Sequence, residues 1–256
     1  MNTSTITITF GDQAENHKGM QIIGTASEKG FTLTELQNAQ TYFNFIGSVC
    51  ELINLNQFLP AGITCDENAY ILVARGGVNA ILQNHGLTAN DLFNEQAALD
   101  FDKKAFMYGR VVNKHARWNL CYADFEQEPN YEEGRGRIVN FSTIPVTNII
   151  RQSLKNLIPS AENLQGEANY YYDITKCGIG MHSDCERLKV IGIRLGATMP
   201  LCYNWFLDNQ PIGTKCTLQL NNGDIYIMSE KATGNDWKKR SIKEHLRHAA
   251  GYCFKN

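Results

Sequence analysis

No apolar run in the chain approaches the roughly 20 residues that a membrane-spanning helix needs. The opening residues, MNTSTITITFGD, lack the basic and apolar regions of a secretory signal. No two cysteines form a C-x-x-C pair. Cys50, Cys65, Cys121, Cys177, Cys185, Cys202, Cys216 and Cys253 are scattered, which excludes a zinc ribbon or a thioredoxin motif. Neither sign of charge dominates: 24 Lys and Arg against 26 Asp and Glu leave a formal charge of −2, so bulk charge does not make this a nucleic-acid coat, although a local basic patch is compatible with it. Internal repeats and low-complexity tracts are absent as well. Together these absences predict an intracellular protein, cytoplasmic or nuclear, without a membrane segment, whose cysteines are reduced and mostly packed as small hydrophobes.

What is present is ordinary for a globular chain: 256 residues, 43% hydrophobic and 20% charged, enough for one large domain or a core with a smaller companion. The run TITITF at 5–10 alternates as a strand does, and Thr32-x-x-Glu35 opens a helix over 33–46 with a capping box. Strands are expected at 51–55 and 69–74, and Thr88-x-x-Asp91 starts a second helix. After Asp102 the texture turns aromatic, Arg-rich and Gly-rich, with a loop at Gly134-Arg135-Gly136-Arg137 and a helix over 146–157 stopped by Pro159. From Ala168 onward short β runs follow one another, which suits a sandwich or barrel around one internal site. The expected class is α+β, with residues 1–102 an α/β module of unassigned role and 103–256 a β-rich domain.

The sharpest chemical feature is His182-Ser183-Asp184. Residues two apart on a strand face the same way, so this imidazole and carboxylate could supply two thirds of the facial triad that holds non-haem Fe(II) with open positions. The plainer alternative is a polar strand edge with Asp184 paired to Arg187.

Around that pair, Asn169-Tyr170-Tyr171, Arg194-Leu195-Gly196, Gly223-Asp224 and Arg247 follow in order, and Met107-Tyr108-Gly109 precedes them. In this arrangement the sequence over 104–253 resembles the AlkB-like Fe(II)/2-oxoglutarate-dependent dioxygenases. The resemblance implies a double-stranded β-helix (jelly-roll) core, an oxidoreductase with Fe(II) and 2-oxoglutarate as cofactors and O2 as co-reactant, and a modified nucleobase in single-stranded or flipped-base nucleic acid as substrate. Hydroxylation of a protein side chain or small molecule, or non-catalytic binding on a decayed barrel, are the alternatives. Asn169 and Tyr171 would contact 2-oxoglutarate, and Met107-Tyr108-Gly109 would lie near a substrate lid.

The pattern breaks at the third iron ligand. The family places a His after the tryptophan segment, whereas this chain reads Asn235-Asp236-Trp237-Lys238-Lys239. His248, followed by Ala249-Ala250-Gly251, is the preferred candidate and His245 the other. Strand alternation forbids Arg247 and His248 from entering one site together, so either Arg247 or Arg194 is left to clamp the far carboxylate of 2-oxoglutarate. His17 and His85 read as surface residues, and Cys185 as facing away from a metal at 182 and 184. Two basic stretches are candidates for nucleotide contact: Asn113-Lys114-His115-Ala116-Arg117-Trp118, and Lys231, Lys238, Lys239, Arg240, Lys243 and Arg247.

Overall fold

The structure, a computed structural model, describes residues 3–239 and 241–251, so Arg240 and Cys253 lie outside the described residues. Its strands are Thr5–Gly11 (β1), Gln13–Glu15 (β2), Ile22–Gly24 (β3), Val49–Asn54 (β4), Tyr70–Arg75 (β5), Lys104–Met107 (β6), Arg110–Asn113 (β7), Trp118–Ala123 (β8), Ile138–Asn140 (β9), Gln165–Tyr171 (β10), Gly178–His182 (β11), Val190–Gly196 (β12), Met199–Leu207 (β13), Gln210–Leu220 (β14), Ile225–Met228 (β15) and Glu244–Gly251 (β16). The helices are Leu33–Phe45 (α1), Gly77–Leu82 (α2), Ala89–Ala97 (α3), Pro145–Leu157 (α4) and Glu230–Thr233 (α5). The class is α+β, rich in sheet. None of these helices is long and apolar enough to cross a membrane.

Local chemistry starts the helices where the sequence indicates. Thr32 and Thr88 each accept a bond from the backbone N–H three residues on, while Glu35 and Asp91 reach back to the cap N–H, which completes two capping boxes. Pro145 opens α4, whose Ile150, Leu154 and Leu157 share a buried face with Thr147 and Arg151.

A large sheet runs β4-β5-β15-β12-β1-β10-β8-β9, and a small one runs β11-β16-β13-β14. The large sheet is the middle layer. On one side Ile6, Ile8, Phe10, Ile191, Ile193, Ile225 and Ile227 pack with Leu36, Phe43, Val78, Leu92, Ile150 and Leu154 of the helices. Each such side chain contributes roughly 1.5–3 kcal/mol on burial. On the other side Ile71, Val73, Tyr226 and Met228 share a core with Leu201, Tyr203, Trp205, Leu218 and Leu246 of the small sheet.

The expected boundary at residue 102 does not divide two sheets. β1 sits between β10 and β12, and β4 and β5 extend the same sheet beyond β15. Alternation in TITITF, read alone, suits a strand with one wet face; here the chain buries both, with Thr5 and Thr7 nearly inaccessible. The all-β reading after Ala168 holds except at α5 and the adjoining turn of 3-10 helix over Asn235–Lys238.

Gly192 on β12 fixes how closely Tyr226 of the neighbouring β15 can lie, because a Cβ there would stand 1.9 Å from the tyrosine Cζ. Tyr226 is 5% exposed between the sheets, so its ring must shift from its packed position to admit a Cβ there. Gly192→Ala is therefore expected to cost about 1–3 kcal/mol of stability. Gly180→Ala, whose Cβ would meet nothing within 4 Å, serves as the control in urea unfolding.

Candidate metal centre

Three side chains converge between the two sheets. β11 ends at His182, β16 carries His248 directly opposite it, and Asp184 follows in the loop after β11. One ligand atom from each lies within 4.8 Å of the others. Asp184 Oδ1 is 3.9 Å from His182 Nε2 and 3.7 Å from His248 Nε2, and the two rings are 4.4 Å apart. Ligands about 2.1 Å from one ion stand roughly 3 Å apart when adjacent, so the carboxylate–imidazole pairs are within about 1 Å of that spacing.

The backbone around Asp184 is held in place. Its N–H donates to the Thr233 carbonyl at 3.0 Å, Ser183 Oγ donates to the Leu246 carbonyl at 2.9 Å, and Asn235 Nδ2 donates to the Arg187 carbonyl at 3.1 Å. The segment around Thr233 and Asn235, near which the AlkB-like pattern leads one to expect a histidine, thus supports the His-Ser-Asp loop instead, and the second histidine of the cluster comes from β16. His182 Nδ1 lies 2.8 Å from the Gly180 carbonyl, which orients the ring with Nε2 towards Asp184. Burial holds both imidazoles below their ordinary pKa, far below for His248, where the nearby His182 and Arg187 charges add to it. Both therefore sit as neutral rings with a lone pair to offer. Burial, followed by repulsion from Glu186, pushes Asp184 up to about 8. Arg187 is not its partner: it pairs with Glu167 and Glu186.

Alternation along β16 decides between the candidate residues. His248 and Ala250 face the interior cavity, whereas His245 stacks on Phe206 with its ring 6.0 Å away and accepts from Arg247 Nε at 3.3 Å. Arg247 lies over the same Phe206 ring and donates to Asn209 Oδ1 at 2.5 Å, outside the cavity. His248, and not His245, thus lies beside His182 and Asp184, and of Arg194 and Arg247 only Arg194 lines the cavity.

The cavity beside the triad encloses about 280 Å³. Its floor is a row of polar residues in register across the large sheet, Arg194 on β12 opposite Thr7 on β1 and Thr7 opposite Asn169 on β10; the row continues outside the cavity to Asn119 on β8. Tyr171, Tyr226 and Thr9 also line it, and Leu201, Met228, Val190 and Ala250 supply apolar wall. Arg194 is 0% exposed, and none of its three guanidinium nitrogens has a hydrogen-bond partner. Thr7 Oγ1 is likewise buried without a partner. Asn169 Oδ1 accepts from Arg117 Nε and Asn119 Nδ2, both at 2.6 Å, and its Nδ2 donates to Glu167 Oε1 at 3.0 Å, which leaves the second Nδ2 hydrogen free.

Several expectations are corrected. Cys185 and His17 line the cavity rather than facing away or lying on the surface. Of the first basic stretch only Arg117 reaches the cavity: Lys114 is buried against Asn16 and Asp102, while Trp118 stacks with Tyr172 and packs with the helix-side core. None of the described members of the second basic stretch lines it: Lys231 is buried on Asp236 and the Glu244 carbonyl, and Lys238 lies over Trp237. Met107-Tyr108-Gly109 forms the exposed tip of the β6–β7 hairpin and does not line the cavity either. Thr7, Thr9, Tyr226 and the β2–β3 hairpin, which brings Glu15, His17 and Lys18 to the mouth, were not singled out from the sequence for the site.

Loss of a ligand should exceed the roughly 10–100-fold affinity cost typical of losing an outer-shell partner. If the cluster holds a divalent cation, His248→Ala is expected to abolish its retention in non-covalent mass spectra of protein loaded with Mn(II) or Fe(II), and His245→Ala to leave it intact; equal loss in both would overturn the place of His248 in the cluster.

No family model matches the chain. It is 48% identical over 248 residues to an uncharacterized protein of Acanthamoeba polyphaga mimivirus, an alignment that covers 96% of this chain and 95% of the viral one. At that identity over almost the whole of both proteins, the chain belongs to the same family as the mimivirus protein.

Proposed function

We propose that the protein is an Fe(II)/2-oxoglutarate-dependent dioxygenase of the AlkB-like kind, its two facing sheets forming a double-stranded β-helix with the metal between them. One observation carries the reading: a fully buried guanidinium without a partner opens into the same cavity as a His-Asp-His cluster. An unpaired buried cation is costly, and a carboxylate placed on it would remove that cost while gaining two charge-assisted bonds. The donor set fits a divalent first-row metal, since two neutral imidazoles and one carboxylate are the ligands of the facial triad.

His182, Asp184 and His248 would hold Fe(II). Bound there with 2-oxoglutarate and O2, it would supply oxidative decarboxylation to succinate and carbon dioxide together with oxidation of a substrate C–H bond. Arg194 fixes the far carboxylate of 2-oxoglutarate, with Thr7 Oγ1 and the Tyr171 and Tyr226 hydroxyls lining the same end. Asn169 offers its free N–H to the near end, its amide orientation set by Arg117 and Asn119. Leu201, Met228 and Val190 keep water from that side of the cavity. The substrate class favoured by the resemblance is a modified nucleobase, which would leave the stack to reach so enclosed a centre. The family's missing histidine, which favoured a purely binding protein, weighs less once His248 stands beside Asp184.

Aerobic incubation with Fe(II) and 2-oxoglutarate should yield succinate, and His182→Ala should abolish it. Wild-type protein that binds neither Fe(II) nor 2-oxoglutarate would sink the proposal. Arg194→Met makes a sharper test, because it removes a buried unpaired charge at nearly constant volume. The expected outcome is an unchanged or higher Tm together with at least a hundredfold weaker binding of 2-oxoglutarate, read by anaerobic calorimetry. A lower Tm with unchanged affinity would assign Arg194 to the fold alone.

A further inference from the structure

Of the carboxylates that line the cavity besides Asp184, Glu167 and Glu186 share Arg187, and Glu15 at the mouth has, among the described residues, only the neutral Gly19 N–H at 2.6 Å, with burial pushing its carboxyl up to about 7. The arginines are not matched in the same way. Arg194 has no partner, and Arg117, half-buried at the mouth, spends only Nε, on the neutral Asn169 amide, with no ion pair among the described residues. One cavity therefore holds two guanidiniums without a counterion, one at its floor and one at its rim.

A single bound 2-oxoglutarate, anchored on Arg194, leaves the second guanidinium to another ligand. Arg117 does not stand alone at the mouth: His17 and Lys18, from the turn between β2 and β3, line the same rim. That turn is itself anchored, since Asn16 accepts from the buried Lys114 Nζ at 2.7 Å and donates to Asp102 Oδ2 at 2.8 Å. Gly136 permits this approach, because a Cβ there would stand 2.5 Å from Asn16 Cγ. Burial, together with the charges of Lys114 and Arg117, holds the His17 imidazole below its ordinary pKa, as expected in a positive local field.

We infer that the rim is an anion subsite, in which Arg117, flanked by Lys18 and His17, seats a phosphate or carboxylate group of the substrate while the oxidised carbon points towards the metal. The inference rests on the dioxygenase reading for the identity of the other ligand, but not for the subsite itself. It makes Arg117 a specificity-determining residue: its planar fork would take an oxyanion in two parallel bonds, and the substrate would be an acid or a nucleotide rather than a neutral or cationic molecule.

The test uses the full chain loaded with Mn(II) and 2-oxoglutarate, so that Arg194 is already occupied, and titrates inorganic phosphate by calorimetry. Arg117→Gln is expected to weaken phosphate binding at least tenfold and by more than it weakens 2-oxoglutarate binding, with Arg117→Lys recovering part of the loss. Phosphate affinity indifferent to Arg117 overturns the inference, and so does a larger loss for 2-oxoglutarate than for phosphate, which would make Arg117 a cosubstrate ligand. The same titration on metal-free Arg194→Gln protein reads the rim alone, so a chain that takes up neither metal nor 2-oxoglutarate still answers. Displacement of phosphate by a single-stranded oligonucleotide would assign the anion to a nucleic-acid backbone, and displacement by acetate alone to a small carboxylic acid.

Discussion

A sheet buried on both faces cannot easily carry a row of polar side chains, and this one does. Arg194, Thr7, Asn169 and Asn119 stand opposite one another on four adjacent strands, facing the small sheet rather than water. Buried polar groups are costly unless satisfied, and a buried guanidinium most of all. The Asn169 carbonyl oxygen is satisfied by its neighbours; Arg194, Thr7 Oγ1 and Asn119 Oδ1 have no partner among the described residues. The rest of the arrangement follows from tolerating that row. The small sheet stands off far enough to leave a cavity, apolar residues close its sides, and the opposite wall presents His182, Asp184 and His248.

The N-terminal strand is what makes this possible. β1 is inserted between β10 and β12, so its threonines complete the polar row while Ile6, Ile8 and Phe10 pin the other face to the helices. The following β2–β3 hairpin then reaches the cavity mouth. What composition presented as a separate module is thus structurally part of the sheet that floors the cavity: β1 bridges the strands carrying Arg194 and Asn169, which do not pair with each other.

Burial acts in the same direction on the His-Asp-His cluster and on Arg194, disfavouring charge at each. Burial disfavours imidazolium at 182 and 248 and carboxylate at 184, so the three groups would be poorly accommodated as charged species on their own. A divalent cation would reverse that balance at Asp184 and keep both rings neutral, while Arg194 would gain from an anion a short way off. Cation and anion placed together leave the cavity closer to neutral than either alone.

Much of this was written locally in the chain. Thr32-x-x-Glu35 and Thr88-x-x-Asp91 set two helix starts because their hydrogen bonds span only three residues. Alternation put Asn169 with Tyr171 on one side and separated Arg247 from His248, since side-chain direction on a strand has a period of two. The His182-x-Asp184 pair is adjacent in the chain, although bonds to Thr233, Leu246 and Asn235 hold its loop in place. The sequence by itself determined these elements and faces. Only the tertiary structure decided which histidine and which arginine turn inward, that the threonines of TITITF line a cavity instead of meeting water, and that a hairpin near the N-terminus forms part of its rim. Those outcomes depend on pairings between residues more than a hundred positions apart, such as Thr7 with Asn169 and with Arg194, and no local periodicity encodes which strand will lie beside which.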